Sequence, residues 1–255
     1  MLKKLLNSEE SALFHVGKFV AWQKDIFKRP ENWRMYYKEI VRQMYDIGIG
    51  SLTIVVIISL FIGAVTAVQF SYQLGGGLIP EYYIGYVVRD IVIIELAATI
   101  TCLVLAGKVG SNMAAEIGGM RQKEHIDAME VMGVNTSAYI IMPKMIAAII
   151  VIPMLVSISA LVGIMGGYLA AIVTGGLSEV DYVKGLRSFF VPYNVLMMYV
   201  KAFVFAYILT SVSCYQGYFV KGGSIELGEA STRAVVYSDI LILVADFIIA
   251  LVLTV

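Results

Sequence analysis

Five long apolar runs, near residues 51–73, 86–107, 145–172, 193–219 and 237–255, limit this chain more tightly than any other feature. About 20 apolar residues in a helix cross the hydrocarbon core of a bilayer. Backbone amides inside lipid must find partners within their own segment, so such runs are helical. Of the 255 residues, 59% are hydrophobic and 15% charged, against about half and about a quarter in a soluble domain. The expectation is an all-α integral membrane protein with five transmembrane helices. Its formal net charge of +0 gives no bulk attraction to nucleic acid. Cys102 and Cys214 both fall inside apolar runs and read as buried, reduced thiols.

Residues 1–50 form a separate region without a spanning run. The opening MLKKLLNSEESALF has no apolar core, so no cleavable signal is expected. Ala12, Val16, Phe19, Ile26 and Phe27 recur at helical spacing until Pro30 interrupts them. A second helix then places Trp33, Tyr36, Tyr37, Ile40, Met44 and Ile47 on one face, with Arg34, Lys38 and Arg42 elsewhere. Aromatic-rich helices with basic polar faces lie in the membrane interface, so two interfacial amphipathic helices are expected before a five-span domain over 51–255. Most of the 19 lysines and arginines fall before residue 50 or in the 108–144 and 220–236 connections. The positive-inside rule then puts the N-terminus in the cytoplasm and, after five spans, the C-terminus on the far side. Gly163, Gly166 and Gly167 offer a small-residue face for close approach of another helix.

Between the second and third runs stands GSNMAAEIGGMRQKEHIDAMEVMGVN, residues 110–135. By the topology above it is cytoplasmic. Met113, Ile117 and Met120 share a helical face, and Ile126 and Met129 continue a second short stripe. Glu116, Glu124, Asp127 and Glu130 outweigh Arg121 and Lys123, which argues against adhesion to anionic headgroups. Short helices offering methionine and isoleucine beside mixed charge suit a groove on a partner protein. His125 reads as a solvated helix histidine.

Ionisable residues inside spans are costly and commonly functional. Glu95, Lys201 and Asp246 lie at similar depth, about 12–14 Å from the outer ends of their runs at the helical rise. Such a layer suits an amphiphile, with Lys201 meeting a phosphate and Glu95 orienting it or gating access. A structural Glu95–Lys201 ion pair, with Asp246 bonded to a neighbouring helix, accounts equally well for the same residues. The chain has no G-x-x-x-x-G-K-[ST], H-E-x-x-H or G-x-S-x-G and no metal-ligand spacing. It therefore reads as no enzyme, with no cofactor of its own. A proton-coupled secondary transporter using Glu95 and Asp246 is the alternative, although no internal repeat of spans accompanies it.

The stretch LAGKVGSNMAAEIGGMRQKEHIDAMEVMGVN, with its A-G-[RK]-x-G-S-x-x-x-A-E-I-G-x-M core, resembles the MlaE permease family. GSLTIVVIISLFIGAV and STRAVVYSDILILVADF carry the likeness to both ends of the span region. The resemblance implies the permease subunit of an ATP-driven ABC transporter that moves phospholipid between the bacterial inner membrane and an MCE-domain protein. It implies a homodimer flanked by P-loop ATPases, which would bind the ATP and Mg. Residues 110–135 would be the coupling element, with Glu116, Ile117, Met120, Arg121, Glu124 and Met129 at the ATPase. Glu95 and Lys201 would contact lipid or gate a cavity, and Arg233 and Asp246 match secondary polar positions. This chain departs from the pattern at Ile94-Glu95-Leu96-Ala97-Ala98, where relatives often carry Arg before the glutamate and Gly-Pro after the leucine. It departs again at Asn135-Thr136, where many have Asp-Pro.

Overall fold

The computed structural model describes residues 12–26, 33–74, 80–174 and 178–254. Among them it contains helices and turns and no strand. In chain order they are α1 (Ala12–Ile26), α2 (Trp33–Leu74), α3 (Tyr82–Ile91), α4 (Ala97–Leu105), α5 (Ser111–Gln122) and α6 (His125–Val131). The chain continues with α7 (Thr136–Val173), α8 (Glu179–Arg187), α9 (Pro192–Tyr218) and α10 (Ser224–Thr254). Five helical stretches, Tyr36–Leu74, Tyr82–Gln122, Thr136–Val173, Pro192–Tyr218 and Ser224–Leu253, are long and apolar enough to cross a membrane. The chain is therefore a multi-pass membrane protein, as its apolar runs require.

Two expected boundaries differ. The division at residue 50 meets no break, because α2 runs through it for 42 residues, about 63 Å at the helical rise. No proline interrupts residues 33–51, and the helix begun at Trp33 continues through Gly48 and Gly50. The helix that carries the second apolar run likewise continues past 107. α3, α4 and α5 form one continuous helical rod from Tyr82 to Gln122, joined by π-turns at Val92–Leu96 and Ala106–Gly110. The wider i→i+5 turns re-aim the side chains that follow them. The Ser111 hydroxyl covers the second turn by donating to the Gly107 carbonyl at 2.5 Å.

Helix α1 packs on protein on one face. Trp22 and Ile26 are buried, and Phe19 and Trp22 meet the rings of Tyr215, Tyr218 and Phe219 at the end of α9. The expected stripe position Phe27 and the breaker Pro30 lie outside the described residues, as do the side chains of Ala12, Val16, Trp33 and Arg34. Asn135 explains how α7 starts without the Asp-Pro of relatives. Its carbonyl accepts from the Ala138 amide, while its amide donates to the Asp25 carbonyl and so ties α1 down. An aspartate could make only the first of these bonds.

The α2–α7 contact shows what the glycines are for. A Cβ on Gly63 would overlap the Gly163 carbonyl, and one on Gly166 would overlap the Leu60 carbonyl. The helices thus touch backbone to backbone, as small residues allow in membranes. A hydroxyl chain crosses the same seam. Ser59 donates to Ser159 at 2.7 Å, and Thr101 on α4 donates to Ser159 at 2.8 Å. Three rods are thereby locked, leaving α10 with one face unpacked: Leu243, Phe247, Ile248 and Leu251 are all exposed.

Candidate functional site

The first π-turn, at Val92–Leu96, carries Glu95. From α9, Lys201 reaches it with Nζ 2.5 Å from Glu95 Oε2. From α10, Asp246 Oδ1 stands 2.7 Å from the same nitrogen. The Thr99 hydroxyl on α4 donates to the other Asp246 oxygen at 3.1 Å. Lys201 is 0% exposed and the Asp246 side chain 10%, but the Glu95 side chain is 44% exposed. The three residues matched by depth in the sequence thus form one cluster across three helices. Both alternatives read from the sequence meet here, since the ion pair is real and one of its members is open.

This geometry adds two details. The Lys201 ammonium is fully buried and faces two carboxylates. Asp246 is held by Lys201 as well as by a neutral neighbour. Arg233 does not join the cluster; it lies exposed on α10, 3.7 Å from Glu229 in an i,i+4 pair. Thr99 went unrecognised in the sequence. Its signal was its position one turn beyond Glu95, on the same helical face.

A second buried cation sits nearer the α8 end. Arg89 is 3% exposed. It donates to the carbonyls of Leu186 at 2.7 Å, Ser188 at 2.9 Å and Phe189 at 3.3 Å, and pairs with Asp90 at 2.7 Å. The two terminal nitrogens of the guanidinium close the carboxyl end of α8, while Nε donates to Asp90 at 2.8 Å. Phe189 is held there at φ 50°, a strained value for a bulky residue. Burial pushes the Tyr182 phenol above its ordinary pKa. The phenol stays protonated and donates to the Ile164 carbonyl at 3.2 Å, pinning α8 to α7.

At the opposite end, residues 110–135 are not the freely presented segment that their pattern suggested. Met113, Ile117 and Ile126 are buried in the chain's own core, and Met120 and Met129 pack partly against it. The expected apolar stripe faces α9 and α10, because α5 simply continues the second span into the bundle. Glu116 Oε2 lies 2.6 Å from the buried Lys144 Nζ. Arg121 pairs with Asp127 at 2.9 Å, and the Tyr218 hydroxyl donates to Glu130 at 2.9 Å. Thr136 closes the knot against Tyr218 at 2.7 Å. Among the residues the turn exposes are Lys123, Glu124, in the left-handed region at φ 58°, His125, and the apolar pair Val131 and Met132, 88% and 71% exposed.

Five membrane-length helices around a partly open charge cluster define a polytopic protein of transport type. The family model described as Permease MlaE matches residues 40–252. A probable ABC transporter permease protein of Rickettsia prowazekii (strain Madrid E) is 36% identical over 242 residues, 95% of this chain and 91% of its own length. Another probable ABC transporter permease protein, from Rickettsia bellii (strain RML369-C), is 38% identical over 84% of this chain and 83% of its own. The intermembrane phospholipid transport system permease protein MlaE of Haemophilus influenzae (strain Rd) is 31% identical over 85% of this chain and 83% of its own. The chain belongs to the MlaE permease family and is the membrane component of an ABC transporter.

Proposed function

We propose that this chain is the permease of an ATP-driven transporter that moves phospholipid between the bacterial inner membrane and an MCE-domain protein on the outer side. It works as a homodimer with its N-terminus cytoplasmic and its C-terminus periplasmic. The observation that carries this reading is the half-exposed Glu95 carboxylate at mid-span, beside a fully buried Lys201. An open charge at that depth is costly unless something polar comes to it, and an amphiphile brings both a headgroup and acyl chains. The name of the Haemophilus relative points to the same cargo.

The ATPase docks on the turn between α5 and α7. Val131 and Met132 are its apolar anchors, Glu124 sets register beside them, and Met129 supports them from behind. Glu116, Ile117, Met120 and Arg121 act indirectly, by fixing the turn to α7, α9 and α10 through the contacts described above. ATP and Mg are bound by that partner. In purification from the native host with a gentle detergent, the tagged chain brings down a P-loop ATPase near one-to-one, an MCE-domain protein and phospholipid. A double Val131→Asp, Met132→Asp variant keeps its thermal stability within about 0.5 kcal/mol, since both side chains are solvent-facing, yet loses the ATPase. A variant that retains the ATPase removes the docking assignment.

The proton-coupled reading draws on one observation, that two carboxylates converge on a single ammonium. It requires transport by the chain alone under a pH gradient, whereas the ATP-driven reading requires transport only with the ATPase and nucleotide.

A further inference from the structure

We infer that the open side of the Glu95 cluster selects phospholipids with a cationic amine in the headgroup, such as phosphatidylethanolamine, over anionic ones. This inference rests on the phospholipid reading above and names the headgroup that the same site takes.

Two carboxylates facing one ammonium give the Glu95, Lys201 and Asp246 cluster a formal charge of −1. Lys201 is 0% exposed, so its three N–H donors are all buried, two of them directed at Glu95 at 2.5 Å and Asp246 at 2.7 Å. The Thr99 hydroxyl is spent on Asp246. What reaches the outside is therefore an acceptor, the Glu95 carboxylate, 44% exposed. A phosphate approaching it meets like charge and no free donor, while an ammonium meets a charge-assisted acceptor. Burial on the inner side and low dielectric sharpen that difference.

Among the described residues, no further cation stands ready to cover the carboxylate. The position before it is Ile94. Arg89, the buried cation of Glu95's own span, is fully engaged by three carbonyls and Asp90. Lys108, Lys144 and Arg233 lie toward the opposite ends of their helices. A second copy laid on this face brings the same net-negative cluster and the same committed basic residues. Around the opening the exterior is apolar, with Leu243 and Phe247 exposed beside Asp246 on α10. That surface suits acyl chains, while the carboxylate takes the amine.

The test uses the chain with its co-purifying partners, exchanged into nanodiscs of equal phosphatidylethanolamine and phosphatidylglycerol with identical acyl chains. Annular lipid is stripped with detergent, and the retained lipid is quantified by mass spectrometry. The expected result is enrichment of phosphatidylethanolamine by about tenfold, the size of one charge-assisted bond in competition with repulsion. Glu95→Gln, which keeps an acceptor for Lys201, brings the ratio to near unity through loss of retained phosphatidylethanolamine. The wild-type measurement stands without any variant, so a poorly folding substitution does not shield the inference. Equal retention, phosphatidylglycerol enrichment, or a ratio indifferent to Glu95→Gln (as when a partner's basic side chain covers the carboxylate) overturns it while leaving phospholipid transport standing. Retention of no lipid by the wild type overturns the cargo reading itself.

Discussion

Lys201 and Arg89 are both buried cations on apolar helices, and they are satisfied in opposite ways. Arg89 meets the carbonyl ends of α8 and a neighbouring aspartate, so its surroundings are mostly dipoles and the arrangement is closed. Lys201 meets two carboxylates, which overcompensate it and leave one of them half open. A planar fork suits several fixed acceptors, whereas a point ammonium suits convergent charge. The difference separates a clamp from a site. Burial of a cation says little about function; whether its partners end in a closed shell says much more.

The largest expected effect that bears on this contrast is at the centre. Lys201→Met strands two carboxylates in the bundle and costs about 3–5 kcal/mol, the usual penalty for removing one partner of a buried ion pair. Recovery of folded protein and thermal unfolding in detergent check it. Wild-type stability in that variant would mean that water or protons already compensate the acids. Arg89→Met comes next, at about 2 kcal/mol, because the freed carbonyls lie at the α8 end, where solvent reaches them. Limited proteolysis reports the loosened segment after Arg187, and unchanged protection there would break the idea of a clamp.

The smallest effects on stability separate the two clusters by function. Glu95→Gln and Asp90→Asn each neutralise the acid beside a buried cation, and each shifts stability by about 1 kcal/mol or less, as polar isosteres at partly solvated positions do. Transport falls with the first and not with the second. If both variants transport alike, the distinction between site and clamp fails.

Much of this arrangement was legible in the residues. The five crossings follow from run length against bilayer thickness, and the match in depth of Glu95, Lys201 and Asp246 follows from the helical rise. Helix continuity was not legible. Nothing in the sequence marks the π-turns, and the interfacial pattern of residues 33–47 is the same whether the helix stops or runs on as α2. The stripe of Met113, Ile117 and Met120 misled for a related reason. Apolar periodicity shows that a face is covered without showing by what, and here the cover is this chain's own α9 and α10. The exposed Val131 and Met132 sit outside any stripe, so periodicity had no hold on them.

The most direct test of the account is ATP-driven phospholipid movement in proteoliposomes. These hold the chain with its ATPase and an MCE-domain acceptor outside, wild type beside Glu95→Gln. Labelled phosphatidylethanolamine should reach the acceptor only with hydrolysable ATP, and at a rate lowered at least several-fold by Glu95→Gln. Equal transfer by the two proteins, or transfer that ignores ATP and follows a pH gradient, would contradict the account.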